Sequence, residues 1–126
     1  MAESVVTTKA KEKMVKARAG VKALPKIVGM AFGDGAINSS GGIIAPTADQ
    51  VALKHQLLQK VIDNFTPVSN ICYRYKCTLT ENELADKDIN EIALYDAEDD
   101  LVAIKTFRNK GKDGDMEMIF EIDDTF

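Results

Sequence analysis

Acids are the abundant reactive groups of this sequence, and one of them sits where acids are rare. Glu91 lies between Ile89 and Ala93, in a run that otherwise alternates as a strand. A carboxylate there could serve as a general acid or base, given a partner group and a cleft. It could equally be a buried structural charge, satisfied by a lysine or by backbone amides. The structural role is the expected one. The remaining acids cluster without a ligand pattern. Asp96, Glu98, Asp99 and Asp100 crowd one turn, and Asp113 and Asp115 flank a glycine. A calcium loop would need DxDxDG with a glutamate at position twelve, and no stretch supplies it. An enzyme acting through Glu91 and the acidic turn is one reading of these groups.

Gly33-Asp34-Gly35 opens a loop that runs to Gly42 and is rich in Asn, Ser and Gly. Glycines beside an aspartate suggest phosphate or metal binding, but neither GxxxxGK[ST] nor GxGxxG is complete. A tight turn using positive φ is the expected reading. The alternative is a small regulatory or ligand-binding module built on Gly33–Gly42. His55 is the one histidine, so no multi-histidine metal site can form. No serine or cysteine sits in a nucleophile motif such as GxSxG. Cys72 and Cys77 are an odd spacing apart on a strand, which puts their thiols on opposite faces and their Cα atoms roughly 17 Å apart. A disulfide needs less than about 7 Å, so two free thiols and a reducing compartment are expected. No catalytic residue, cofactor or metal is predicted.

The elements that position these groups read as follows. Residues 4–19 are expected to form a helix capped by Ser4 and stopped by Gly20, with a narrow stripe of Val6, Ala10, Met14 and Ala17. So thin a stripe needs something to pack on, which makes those four residues candidates for an assembly interface. Lys26–Phe32 reads as a buried strand after Pro25. Thr47 and Gln50 form a capping box ahead of a helical face that continues to about Asn64, with His55 facing solvent. Residues 69–79 read as a strand, and Thr80 with Glu83 makes a second capping box and a short helical turn through Lys87. Ile89–Tyr95 is expected to place Ile89, Glu91, Ala93 and Tyr95 on one side. It forms a hairpin with Leu101–Phe107 across the turn Asp96–Asp100. Lys110–Asp115 reads as a polar loop and Met116–Ile122 as the last strand. The expected fold is α+β, a mostly antiparallel sheet with an N-terminal helix and one middle helix. It forms a single domain over 1–126, with a helical arm over 1–24 and the body over 25–126.

The 126 residues are 45% hydrophobic and 29% charged, which excludes collagen, a coiled-coil rod and wholesale disorder. No stretch approaches the roughly 18 apolar residues of a membrane helix, and no signal peptide opens the chain. The cytoplasm is the expected site of synthesis, with no membrane partner. Charge is uneven. Residues 1–30 carry seven basic side chains against two acids, and residues 96–126 carry ten acids against four bases. Basic head and acidic tail could attract one another between copies. A nucleic-acid partner is not expected, because the whole chain carries a net charge of −4.

Several segments together resemble a known family: Ala31-Phe32-Gly33-Asp34-Gly35, then Pro46, then Ile89-Asn90-Glu91-Ile92-Ala93-Leu94-Tyr95-Asp96, then Leu101-Val102-Ala103-Ile104, then Lys110-Gly111-Lys112. In order and spacing they resemble the N-terminal domain of the phage tail-collar fibre family, over roughly residues 29–123. The chain is also similar to small phage-type tail proteins of Gram-positive bacterial genomes. The resemblance implies a virion structural protein made in the bacterial cytoplasm and residing in the tail. It implies a collar, fibre-attachment or baseplate component that assembles with itself, as a trimer, and with other tail proteins. It supplies no catalytic residues. It makes Gly33, Asp34, Gly35, Pro46, Glu91, Leu94, Tyr95 and Asp96 structural motif candidates. The chain departs from the family pattern at Ala93 and at Asp99-Asp100, where glycine is frequent. With the sequence ending at Phe126, no receptor-binding tip is expected, so the resemblance implies a connector rather than an adhesin.

Overall fold

The computed structural model of the chain describes residues 3–126, and these are mainly β. Two antiparallel sheets carry the fold. The larger is built from β1 (Glu3–Val6), β2 (Ile27–Gly33), β3 (Gln56–Val61), β6 (Asp88–Asp96) and β7 (Leu101–Gly111), in the order β1-β7-β6-β2-β3. The smaller has β4 (Asn64–Ser69), β5 (Cys72–Leu79) and β8 (Met118–Thr125), in the order β4-β5-β8. One helix, α1 (Thr8–Arg18), packs over the first sheet.

The main core lies between the sheets and α1. Met30 and Phe32 of β2, Ile92 and Leu94 of β6, Cys77 and Leu79 of β5 and Phe120 of β8 meet there. The Phe120 ring meets Phe32 edge-on at 5.3 Å. Alternate residues of the same central strands, Ala31, Ala93, Tyr95 and Ile104, enter a second cluster with Leu53 on the opposite face. The central strands are therefore buried on both sides. That explains why β6 reads as a nearly continuous apolar run and makes its one acid conspicuous.

Three expectations need correction. The N-terminal helix begins late, because residues 3–6 pair with β7 as an edge strand. Two adjacent β-branched valines, Val5 and Val6, favour that state. Thr7, not Ser4, is the N-cap. Its Oγ1 accepts from the Ala10 N–H at 3.1 Å and donates to the Leu101 carbonyl at 2.7 Å. Gly20 follows the helix at φ 74°, as its stop position demands. There is no middle helix. Half of each capping box forms, with Gln50 accepting the Thr47 N–H at 3.2 Å and Glu83 the Thr80 N–H at 2.8 Å, while the return bonds run to the threonine carbonyls and each locks only a turn. Residues 56–69 instead become β3 and β4. Strand β2 has buried backbone groups along both edges. β3 satisfies the second edge, a long-range requirement that outweighs local helical periodicity. Third, a register shift between Ile89 and Glu91 turns Ile89 to the opposite side, so it joins Ile92 and Leu94 rather than Ala93. The strand β7 also runs on to Gly111, through part of the expected polar loop.

Candidate functional site

The motif residues converge where β2 ends beside β6. Glu91 is fully buried (0% exposed), and both carboxylate oxygens are taken by backbone. Oε2 accepts the N–H groups of Gly35 (2.8 Å) and His55 (2.9 Å), and Oε1 accepts that of Lys54 (2.9 Å). Beside it, the Asn90 side chain accepts from Ala36 N–H at 2.8 Å. It also donates to the Asp34 carbonyl at 3.0 Å and to Asn109 Oδ1 at 2.9 Å. The Asp34 N–H donates to the His55 carbonyl. Two adjacent polar side chains on β6 thus hold two separate segments, 34–36 and 54–55, against the sheet. The charge needs no counter-cation, since three amide dipoles point at it.

This arrangement explains the glycines differently from the turn expected of them. Neither Gly33 nor Gly35 has positive φ. Their requirement is space. A Cβ on Gly33 would lie 2.6 Å from Glu91 Oε2, and one on Gly35 would lie 2.7 Å from the His55 nitrogen. Gly29 is tighter still, with its missing Cβ 2.1 Å from the Tyr95 ring. The loop amides that could cradle a phosphate are occupied by His55, Glu91 and Asn90. Farther along the loop, Asn38 Oδ1 accepts the N–H groups of Ser40 and Gly42.

A second cluster closes the β6–β7 hairpin. Asp96 is buried and caps its own turn by accepting from the N–H groups of Glu98 and Asp100. Asp99 takes the left-handed conformation at φ 64°, which aspartate tolerates better than most residues. The Lys13 ammonium on α1 meets Asp96 at 2.7 Å, Asp100 at 2.8 Å and Glu98 at 3.0 Å. Burial pulls the Lys13 pKa down, but hydrogen bonds to these acids outweigh it and the pKa rises above the ordinary lysine value. Lys22, then Lys13, lower Glu98 to about 2. Two of the seven basic residues of the head, Lys13 and Lys22, are therefore neutralised by the acidic turn of their own chain.

The other residues singled out from sequence are more dispersed. Leu94 is fully buried and Tyr95 nearly so, while Pro46 is half-buried outside the cluster. Of the stripe Val6, Ala10, Met14 and Ala17, Ala10 lies in the chain's own core and Val6 and Met14 pack at its margin. The His55 side chain is exposed beside Asp34. Cys72 and Cys77 are free thiols, both buried. Sequence reasoning passed over Asn90, although it adjoins Glu91, and Lys112. The buried Lys112 ammonium donates to the carbonyls of Glu81 (2.9 Å) and Asp113 (2.8 Å). Among the described residues, no group of three His, Cys, Asp or Glu could hold a metal.

What this cluster does chemically is fix backbone. Glu91 is fully buried, with both of its oxygens accepting backbone N–H groups. Residues 1–119 match the family described as phage tail-collar fibre protein, N-terminal. No curated protein and no solved structure matches the chain. The match carries a structural role in the phage tail and a place in the virion tail, in a family that is structural rather than typically enzymatic. Since it takes in the Gly33–Gly35 segment, the Glu91 strand and its returning partner along nearly the whole length, the chain belongs to the phage tail-collar fibre family as an N-terminal domain.

Proposed function

We propose that this chain is a collar, fibre-attachment or baseplate component that works by protein–protein assembly, forming a homo-oligomer, a trimer, that contacts other tail proteins. The observation that carries the reading is the use made of Glu91. The one acid placed where catalysis would want it has both oxygens engaged by three backbone N–H groups. The motif residues form a scaffold, and a scaffold of fixed loops is what a joining part requires. The exposed apolar side chains of the second sheet and its β4–β5 turn, among them Phe65, Val68, Ile71 and Tyr73, supply surface for such contacts. Gold-labelled antibody against the folded chain, viewed by electron microscopy on intact particles, tests the placement. Label at the collar or baseplate is expected. Label absent from tails, with the antibody binding the purified chain, would overturn it.

A further inference from the structure

The small sheet carries its core face beyond the core. In register, the inward rows run Cys77 with Phe120, then Tyr75 with Phe65 and Ile122, then Tyr73 with Pro67 and Asp124. The first row is buried, whereas Phe65 in the second is 56% exposed and Tyr73 in the last is 41% exposed. There the overhanging face and α1 enclose a groove of about 370 Å³. Leu24 (50% exposed) and Phe126 (66% exposed) complete its apolar rim, and the charged Lys13, Lys26 and Asp96 also line it, Lys13 being already engaged by Asp96. Asp124 occupies a position where the alternation of β8 calls for an apolar residue. Its Oδ1 is buried without any hydrogen-bond partner. Burial alone raises its pKa. An apolar surface left open and a buried acceptor left unpaired in one groove point to a missing occupant that brings both an apolar group and a donor.

The chain itself presents that combination. On the exposed side of α1, Val15 is 67% exposed, with Lys11 one turn before it and Arg18 one turn after. Neither cation forms an ion pair among the described residues. We propose that the groove is an interface between copies of this chain: Val15 of a second copy seats among Leu24, Phe65, Tyr75 and Phe126, and Lys11 or Arg18 beside it meets Asp124. Groove and helix face are different surfaces, so the contact is head-to-tail, and the trimer proposed above requires its rotation to close into a ring rather than an open filament. This inference rests on the assembly reading above and specifies its surface.

Gel filtration with light scattering on the whole chain separates the two. The native chain is expected as a closed oligomer. Asp124→Lys, and separately Lys11→Glu with Arg18→Glu, should weaken association at least tenfold while circular dichroism shows the native fold. Mixed together, the two variants should associate again, because one retains the helix face, the other retains the groove, and the remaining pairing carries opposite charges with their places exchanged. A native oligomer with variants that assemble as it does, or variants that stay monomeric on mixing, would overturn this interface and leave the assembly reading standing. A native monomer would overturn both. Should Asp124→Lys fail to fold, Asp124→Asn carries the test. It is expected to associate more weakly yet melt higher, since it removes a buried unpaired charge. Unchanged association in Asp124→Asn would overturn the interface.

Discussion

Glu91→Gln tests the scaffold most sharply. The substitution keeps size and shape but turns one oxygen into a donor. In its better orientation the amide oxygen keeps Gly35 and His55, at 2.8 and 2.9 Å, while the new NH₂ faces the Lys54 N–H across 2.9 Å. One charge-assisted bond, worth about 1.5–3 kcal/mol, becomes a donor facing a donor, and two others weaken from charged to neutral by roughly 1 kcal/mol each. The sum is about 3–5 kcal/mol, a large share of the roughly 5–15 kcal/mol that holds a domain folded. With an unfolding entropy of about 2.1 cal/mol/K per residue, each kcal/mol is roughly 4 °C here, so Tm should fall by about 10–20 °C. Urea unfolding followed by circular dichroism gives the free energy directly. Gly33→Ala should be destabilising for the same reason, its new Cβ lying 2.6 Å from the same carboxylate. The double variant should lose less than the two losses added, because both act at one contact. A loss under about 1 kcal/mol for Glu91→Gln would refute the reasoning.

Other consequences follow from the charges and buried groups. The pKa values of Glu98, Glu83 and Asp123 are lowered by their basic partners, so the stability they contribute is complete above their ordinary values and is lost as pH falls. Unfolding midpoints should hold near neutrality and drop between about pH 4.5 and about 2, the span of the Glu98 shift; a midpoint unchanged at pH 3 contradicts this. Burial pushes the Cys77 thiol up to about 11, so it should resist Ellman's reagent at pH 8 until denaturant is added. Rapid reaction of Cys77 in the native chain contradicts the packing. Lys112→Met strands the Glu81 and Asp113 carbonyls and should destabilise by about 2–3 kcal/mol. Amide exchange should then quicken in residues 80–87, where Leu84 and Asp86 hold left-handed conformations; unaltered protection there would count against the clamp.

The β-strands were legible where one period dominates. Strands β5 and β8 alternate, and the β6–β7 hairpin shows as two apolar runs joined by an aspartate-rich turn. The segment 56–65 misleads because Leu58, Val61, Ile62 and Phe65 satisfy a helical face while Leu58, Lys60 and Ile62 satisfy an alternating one. The choice is made by β2, some thirty residues earlier in the chain. Glu91 was conspicuous in sequence because a carboxylate stands out in an apolar strand. Its partners were not, because they are main-chain groups, and backbone amides of Gly35, Lys54 and His55 leave no mark in side-chain identity. The charge asymmetry was visible, but its resolution depended on which face of α1 lies over the acidic turn. Lys13 turned out to bind within the chain, while Lys11 and Arg18 point away.

The native mass in solution is the measurement closest to the central claim, that this chain is a joining part of a phage tail that works by assembling with itself. Light scattering at tens of micromolar should return three times the 13.8 kDa of one chain. A homogeneous 13.8 kDa species at that concentration, with the native fold intact, would contradict it.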